Sequence, residues 1–383
     1  MNLLYISPYL TMPKIGAGVG SASHLAAIRE CLEEKNITIV ALNYTGEKAK
    51  GLQEGTIVID SFRNQFEKKL NIFTLNGICM NQRVRKMILG IIKENKIECV
   101  FIDESILGKL SRQIKKNYPG IRIISFYHDV KANLCRQWIK QGGLKTIPYN
   151  WGLMLNEKIN VKYADTHVVL NKREKAMFQK YYRKNPDFLL PHFVVDKKNI
   201  NEINRIEKTS NEVSLLFVGV DYRPNVEGIQ WFIDSVMPYV KSNLHLYIIG
   251  KGMERYKDLF SKNNVTVIGT VDSLAEWYMR SDIVVSPIFI GGGMKTKTAE
   301  AFQYGKVLIA TTESYEGYDE NIPQSVWNRL CWVADDSETY KKILNLLAET
   351  KIKKRNNELC ELYKKNYSLQ AGVDRMQDIL NVN

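Results

Sequence analysis

The densest chemistry in this 383-residue chain is three glycines, two lysines and a glutamate within ten residues. They lie in SPIFIGGGMKTKTAEAFQYGKVLIATTESYEG, where an apolar run ends in Gly291, Gly292 and Gly293, followed by Met294, Lys295, Lys297 and Glu300. A strand that ends in glycines exposes backbone N–H groups, and a helix starting just after it adds the positive end of its dipole. Lys295 and Lys297 can neutralise charge gathering on a leaving diphosphate, an effect exerted in the transition state. Glu300, one turn into the helix, offers two acceptors to a ribose diol. Glycines alone would make an ordinary turn and lysines alone a solvated face. Together with the acid they point to a nucleoside diphosphate.

Two earlier loops carry weaker signals. SPYLTMPKIGAGVGSASH contains Gly16, Gly18 and Gly20, which can let the backbone approach a phosphate at a helix N-terminus. It is not a dinucleotide fingerprint: several residues separate the strand from the glycines, Ser21 stands where the third glycine belongs, and the second strand ends at Asn43. A nicotinamide enzyme is therefore disfavoured. FYHDV puts His128 and Asp129 after the strand IRIIS. A histidine there can exchange a hydrogen bond with a sugar hydroxyl. On these residues alone, a structural histidine bonded to the adjacent loop is the preferred reading.

The elements that must hold these loops are short apolar strands alternating with helices. NLLYISPYL, ITIVALN, ECVFIDES, IRIISFYHDV and ADTHVVLN read as strands, with helices at SASHLAAIRECLEEK and KREKAMFQKYYRK. The pattern breaks at residues 186–212, which are polar and read as an interdomain connection. It restarts with VSLLFVGV, HLYIIGKG, NVTVIGTV, DIVVSPIFI and KVLIATT as strands. Helices are expected at VEGIQWFIDSVMPYVK, LAEWYMR and KTKTAEAFQYG, with a last one at LQAGVDRMQDIL. This is an α/β chain of two doubly wound Rossmann-like domains, whose ligands belong at the carboxyl ends of the strands.

Composition agrees with two soluble domains: 45% of residues are hydrophobic and 25% charged. No apolar run approaches the roughly 20 residues that span a bilayer. MNLLYISPYL lacks a basic n-region and reads as a buried strand, not a signal peptide. Six scattered cysteines without CxxC pairs suggest reduced thiols, neither disulfides nor zinc ligands. The net charge of +13 is partly concentrated in residues 61–86, with six basic side chains against the single acid Glu67. Leu70, Ile72, Phe73, Leu75, Ile78 and Met80 lie among them, a mixture suited either to an anionic leaflet or to a solvated helix with a buried stripe. Nucleic acid is disfavoured, since no helix-turn-helix, zinc-finger or RNA-binding signature accompanies the charge.

At FVGVDYRPNVEGIQWF (217–232), YIIGKG (247–252), VTVIGTVDSLAEWYMRSDIVVSP (265–287) and GGGMKTKTAEAFQYGKVLIATTESYEG (291–317) the chain resembles the family 4 glycosyltransferases of GT-B fold. It is similar to their subset with a GGG-basic-x-Lys-x-x-Glu donor loop. The resemblance implies domains at 1–190 (acceptor) and 213–365 (nucleotide-sugar donor) facing across a cleft. Residues 191–212 would link them, and a helix in 366–383 would cross back to the first. It also implies retaining, metal-independent transfer from a nucleoside diphosphate sugar, a UDP-sugar ahead of a GDP-sugar, with no other cofactor. Glu300 would bind the ribose, Lys295, Lys297 and the Gly291–Gly293 loop with Met294 the diphosphate, and Thr270 and Val271 the base. Gly16 would face the donor from across the cleft, and His128 the sugar and acceptor. The acceptor would be a glycan or lipid-linked glycan of a bacterial surface polysaccharide, and the chain cytoplasmic, peripheral on the inner face of the plasma membrane.

The sequence departs from the family at two places. Many members have a glutamate eight residues before the one at Glu300, where this chain has Gly292. Many also have an Arg and a Lys after the first strand of the second domain, where Val220 and Glu227 fall; Arg223 is the candidate substitute. These departures keep two alternatives open: a non-catalytic partner subunit of another transferase, and a nucleotide-sugar 2-epimerase.

Overall fold

A computed structural model describes residues 1–12, 16–46, 52, 54–142, 146–195 and 212–382. The chain forms two compact units, Met1–His192 with Gly372–Asn383, and Phe193–Ala371.

In the first unit β1 (Leu3–Ser7), β2 (Ile37–Asn43), β3 (Thr56–Asp60), β4 (Cys99–Ile102), β5 (Arg122–Tyr127), β6 (Thr166–Val169) and β7 (Phe188–Leu189) form one sheet. Its order is β3-β2-β1-β4-β5-β6-β7, and every neighbouring pair is parallel. Parallel strands need crossovers that cover both faces, which is why LLYIS and CVFI are buried end to end. The crossovers contain α1 (Gly16–Cys31), α2 (Gln65–Phe73), α3 (Gln82–Glu94), α4 (Gly108–Asn117), α5 (Lys131–Gly142), α6 (Ile147–Tyr163) and α7 (Lys172–Tyr182). Val84, Ile88 and Ile92 of α3 and Leu110 and Ile114 of α4 pack on Leu4, Ile6, Val100 and Ile102 of the sheet. Each such side chain contributes about 1.5–3 kcal/mol by leaving water.

The second unit repeats the plan with β8 (Val213–Val218), β9 (Leu244–Ile249), β10 (Val265–Gly269), β11 (Ile283–Ser286), β12 (Val307–Ala310) and β13 (Cys331–Val333). The order is β10-β9-β8-β11-β12-β13, again parallel throughout. Its helices include α8 (Arg223–Ser235), α9 (Lys257–Phe260), α10 (Leu274–Arg280), α11 (Thr296–Gln303), α12 (Thr312–Tyr315), α13 (Ser337–Leu347) and α14 (Asn357–Asn366). The last helix, α15 (Leu369–Leu380), has its final carbonyls, those of Ile379 and Leu380, bonded by the Arg122 guanidinium of the first unit's own sheet. In each sheet the strand order reverses beside the first strand, between β1 and β4 and between β8 and β11. These are the switch points where such sheets take ligands.

The structure adds detail that the pattern lacks. β3, β7 and β13, all at sheet edges, escape the alternation reading. The helix expected through residue 241 ends at Ser235, and Met237–Tyr239 makes a separate turn, because Pro238 has no N–H for a helical bond. The connection expected at 186–212 begins with structured chain: Phe188–Leu189 pairs with β6, and Phe193 and Val194 are buried. Residues 196–211 lie outside the described residues. Among the described residues, no helix is long and apolar enough to cross a membrane.

Candidate functional site

In the second unit, Lys297 and Asn225 meet across the β8/β11 switch point. Lys297 rides on α11, after β11, and is 7% exposed; Asn225 rides on α8, after β8. The Asn225 side-chain amide donates to the Val220 carbonyl at 3.0 Å, which turns its Oδ1 to accept from Lys297 Nζ at 2.8 Å. The ammonium also lies 4.4 Å from the centre of the Phe217 ring, a cation–π contact. Burial, reinforced by Lys295, pushes the Lys297 pKa down to about 7. A diphosphate would supply the missing negative charge.

Lys295 donates to the Gly293 carbonyl at 3.1 Å and pairs with the Glu313 carboxylate; its own carbonyl accepts from Tyr318 at 2.9 Å. Glu300 accepts from the Tyr278 hydroxyl at 2.8 Å, and Tyr278 stacks on Tyr304 at 4.8 Å. One carboxylate oxygen is thereby oriented from behind. No side chain caps the N-terminus of α11. Met294 is buried, Gly291 and Gly293 are half-buried, and Gly292 is exposed. After β10 come exposed Thr270 and half-buried Val271; the Glu254 carboxylate accepts from Thr270 Oγ1 at 3.3 Å and from the Gly252 amide at 3.0 Å. Arg223 is exposed and donates to Glu227 at 2.6 Å, a solvent-screened pair on its own helix.

Gly228 lets α8 press against the end of β11: a Cβ there would lie 2.0 Å from the Pro287 carbonyl oxygen. Gly228→Ala is therefore expected to destabilise the unit by about 1–3 kcal/mol, read from urea unfolding. Displacing α8 also moves Asn225 off Lys297, so nucleotide affinity should fall with it.

In the first unit, residues after β1, β4 and β5 converge on Asp103, which is fully buried. Its carboxylate accepts from Ser21 Oγ, lies 2.7 Å from His24 Nδ1, and lies 3.5 Å from His128 Nε2. Burial opposes the charge on Asp103, but His128 and His24 outweigh it and hold the carboxyl well below its usual range. In return burial lowers the His128 pKa, while Asp103 more than offsets this and leaves it raised. Tyr9 and Phe126 meet the His128 ring edge-on at 5.2 and 4.8 Å. Beside it, Lys131 bridges Glu104 at 3.3 Å and Asp129 at 2.8 Å, and Tyr9 donates to Glu104. The three glycines of the first loop separate by role. Gly16 opens α1 with nothing within 4 Å of a Cβ position, whereas a Cβ on Gly18 would lie 1.9 Å from the Met12 carbonyl oxygen. On Gly20 it would touch the His192 ring at 3.4 Å. Gly16 is thus the open position of the loop, and Gly18 is needed for close packing.

The structure brings Lys295, Lys297, Glu300 and Gly291–Gly293 together at the carboxyl end of one sheet. Thr270 and Val271 follow β10, the edge strand of the same sheet, three strands from β11, and Arg223 is engaged elsewhere. In the other unit Gly16 and His128 both follow strands at the switch-point end. Sequence reasoning missed Asn225, Glu313, Tyr278 and Glu254, and above all Asp103 with His24. The available signal for Asp103 was an acid closing the buried run CVFI.

Residues 212–349 match the model of a family described as Glycosyl transferases group 1. This segment carries the group 1 glycosyltransferase pattern. It contains β8 to β13 and every second-unit site residue named above. An uncharacterized glycosyltransferase of Methanocaldococcus jannaschii is 26% identical over 246 residues, 58% of this chain and 59% of that protein's length. Sucrose-phosphate synthase from Thermosynechococcus elongatus has a similar fold, with a TM-score of 0.72 at 14% identity, covering 99% of this chain and 98% of that one. Anabaena HepE, solved with UDP and glucose, gives a TM-score of 0.70 at 11% identity over 100% and 99% of the two chains. The fold is that of the GT-B glycosyltransferases, and the group 1 segment coincides with its second Rossmann-like unit.

Proposed function

We propose that the chain is a retaining glycosyltransferase that moves a hexosyl group from a nucleoside diphosphate sugar to a hydroxyl acceptor. The observation that carries this is Lys297, a buried lysine beside Lys295 at a switch point, with its pKa pushed down to about 7. Lys297, Lys295 and the Gly291–Gly293 amides hold the diphosphate and stabilise it as it leaves. Glu300, oriented by Tyr278, accepts from the ribose hydroxyls, while Thr270 and Val271 border the base. The acceptor hydroxyl attacks from the face the diphosphate leaves, so the C–O bond to phosphate breaks as the new glycosidic bond forms. The hydroxyl proton passes to the departing phosphate oxygen, and no metal is used. His128, held by Asp103, bonds a sugar or acceptor hydroxyl, and Gly16 takes a donor contact. HepE's complex with UDP and glucose supports a UDP-sugar ahead of a GDP-sugar.

We further propose a glycan or lipid-linked acceptor in bacterial surface polysaccharide synthesis, with the chain peripheral on the inner face of the plasma membrane. Phe66, Leu70 and Phe73 on α2, exposed at 75%, 54% and 75% beside Lys68 and Lys69, support that location. Thermal shift against UDP-, GDP-, ADP- and dTDP-sugars tests the donor. A ligand at a hundred times its dissociation constant adds about 2.7 kcal/mol of stability. A shift is expected with one nucleotide, the UDP series first, and it should be lost in Glu300→Ala. A second reading, a non-catalytic partner subunit, is favoured by the glycine at position 292 and by the engagement of Arg223 with Glu227. Nucleotide-sugar binding without release of nucleoside diphosphate in the presence of any acceptor would select it.

A further inference from the structure

Arg85, on α3, is only 6% exposed, yet among the described residues neither its Nε nor its Nη1 has a hydrogen-bond acceptor. A buried guanidinium without a partner is costly, and proteins seldom keep one without use. Its charged neighbour is Arg112 of α4, and Arg112 and Arg85 both act on Lys109 at the start of α4. Arg85 and Lys109 line one pocket, and Arg112 stands one turn from Lys109 on α4, so three cations gather where α3 and α4 pack. The pocket that Arg85 and Lys109 share with Asn76, Gly77, Met80 and Asn156 has no carboxylate among its lining residues, and it is too tight to admit a water molecule. Solvent therefore does not satisfy the two buried nitrogens.

We propose that Arg85, Lys109 and Arg112 form a binding site for a phosphate group. Its oxygens accept several charge-assisted hydrogen bonds at once, and its charge answers three cations better than a single carboxylate does. Entry displaces the turn at 74–80, whose link to the cluster is Lys109 itself. That ammonium donates to the Leu75 carbonyl at 2.9 Å and to Asn76 Oδ1 at 2.8 Å, bonds it would exchange for phosphate oxygens. The turn holds Leu75 at φ 54° and so already departs from the conformations a leucine favours.

The phosphate can be a lipid headgroup or a soluble phosphate ester. Leu75 follows α2 directly, and a Cβ on Gly152 of α6 would come within 3.7 Å of it. Around this point Phe66, Leu70 and Phe73 of α2 and Trp151 of α6 are exposed, an apolar surface flanked by lysines that suits a leaflet.

The test uses the whole chain in two arms, glycerol phosphate in thermal-shift assays and phosphatidylcholine vesicles with or without phosphatidylglycerol in flotation. Glycerol phosphate is expected to raise the melting temperature of the wild type and not of Arg85→Met or Arg112→Gln. Without phosphate, Arg85→Met should melt at or above the wild type, since it removes a buried unpaired charge. A loss of phosphatidylglycerol binding of about tenfold or more in Arg85→Met, with a parallel loss in Phe73→Ser, assigns the site to lipid. A single surface charge accounts for only about fivefold. Phosphate binding with vesicle binding unchanged assigns it to a soluble ester. Absence of any phosphate response in both arms, a response kept by both arginine variants, or an Arg85→Met chain that melts well below wild type would each overturn the proposal. None of these readouts involves sugar transfer, so the site stands or falls apart from the transferase reading.

Discussion

Lys297→Ala is expected to lower turnover by about 10²- to 10³-fold, the usual loss when one preorganised group that stabilises developing negative charge is removed. The effect should fall on kcat more than on KM, because the lysine is worth most when the diphosphate carries its full charge. The pH behaviour makes the prediction sharper. The folded chain holds Lys297 at about 7, while the unfolded chain holds it near 10.5. Between those values the unfolded state binds the extra proton, so stability rises with pH across that window. Lys297→Met should flatten the rise. Bound nucleoside diphosphate acts oppositely and restores the charge, so binding takes up a proton above pH 7. Affinity should then fall with rising pH, by up to about tenfold per unit, and Lys297→Met should remove that slope. Calorimetric titration of UDP across this range measures it; a slope unchanged in the variant would remove Lys297 from the site.

Asp103→Ala is expected to cost the first unit about 3–5 kcal/mol, because it strips a charged acceptor from buried groups bonded to it. Ser21 and His24 both lean on this carboxylate, and neither is more than 1% exposed. Chemical unfolding followed by tryptophan fluorescence reads the loss directly. Asp103→Asn separates positioning from packing, since it keeps the shape and removes the charge. Asp103 is what raises the His128 pKa against burial, so in Asp103→Asn that pKa should drop. The imidazole resonance of His128 should titrate at lower pH in that variant, and the acidic limb of the pH–rate profile should move with it. A His128 titration that does not move would leave Asp103 a packing residue only.

The strands were legible in the sequence wherever they are central. LLYIS, CVFI, IVVS and VLIA are each buried along their whole length, and a parallel strand covered on both faces needs an unbroken apolar run. Three of the four edge strands, β3, β7 and β13, escaped for the converse reason, whereas β10 keeps a clean alternation. In β3, Ile57 and Val58 face solvent at 39% and 44%, so the run TIVID carries no period that marks it. The glycine–lysine–glutamate loop was legible because its parts are contiguous. A strand end and the helix after it bring them together by local geometry alone.

What the sequence could not yield is whatever depends on two segments meeting. Asn225 and Lys297 are 72 residues apart, and His24 and Asp103 are 79 apart. No local preference links them; they meet because parallel sheets reverse their strand order beside the first strand, which sets the loops after β1 and β4, and after β8 and β11, side by side. The same holds for charge. Arg85 was one basic residue among six in segment 61–86, and only packing of α3 on the core showed that Arg85 is buried without an acceptor while Arg63, Lys69 and Lys86 remain at the surface. Composition determined that the protein is basic, because charge sums over residues, and local patterning determined the two α/β units, because strand and helix alternate along the chain. Tertiary structure decided that Lys297 has its pKa pushed down, that His128 has a carboxylate behind it and that Arg85 keeps Nε and Nη1 without an acceptor among the described residues, because a side chain's pKa and hydrogen bonds depend on neighbours that the chain order does not specify.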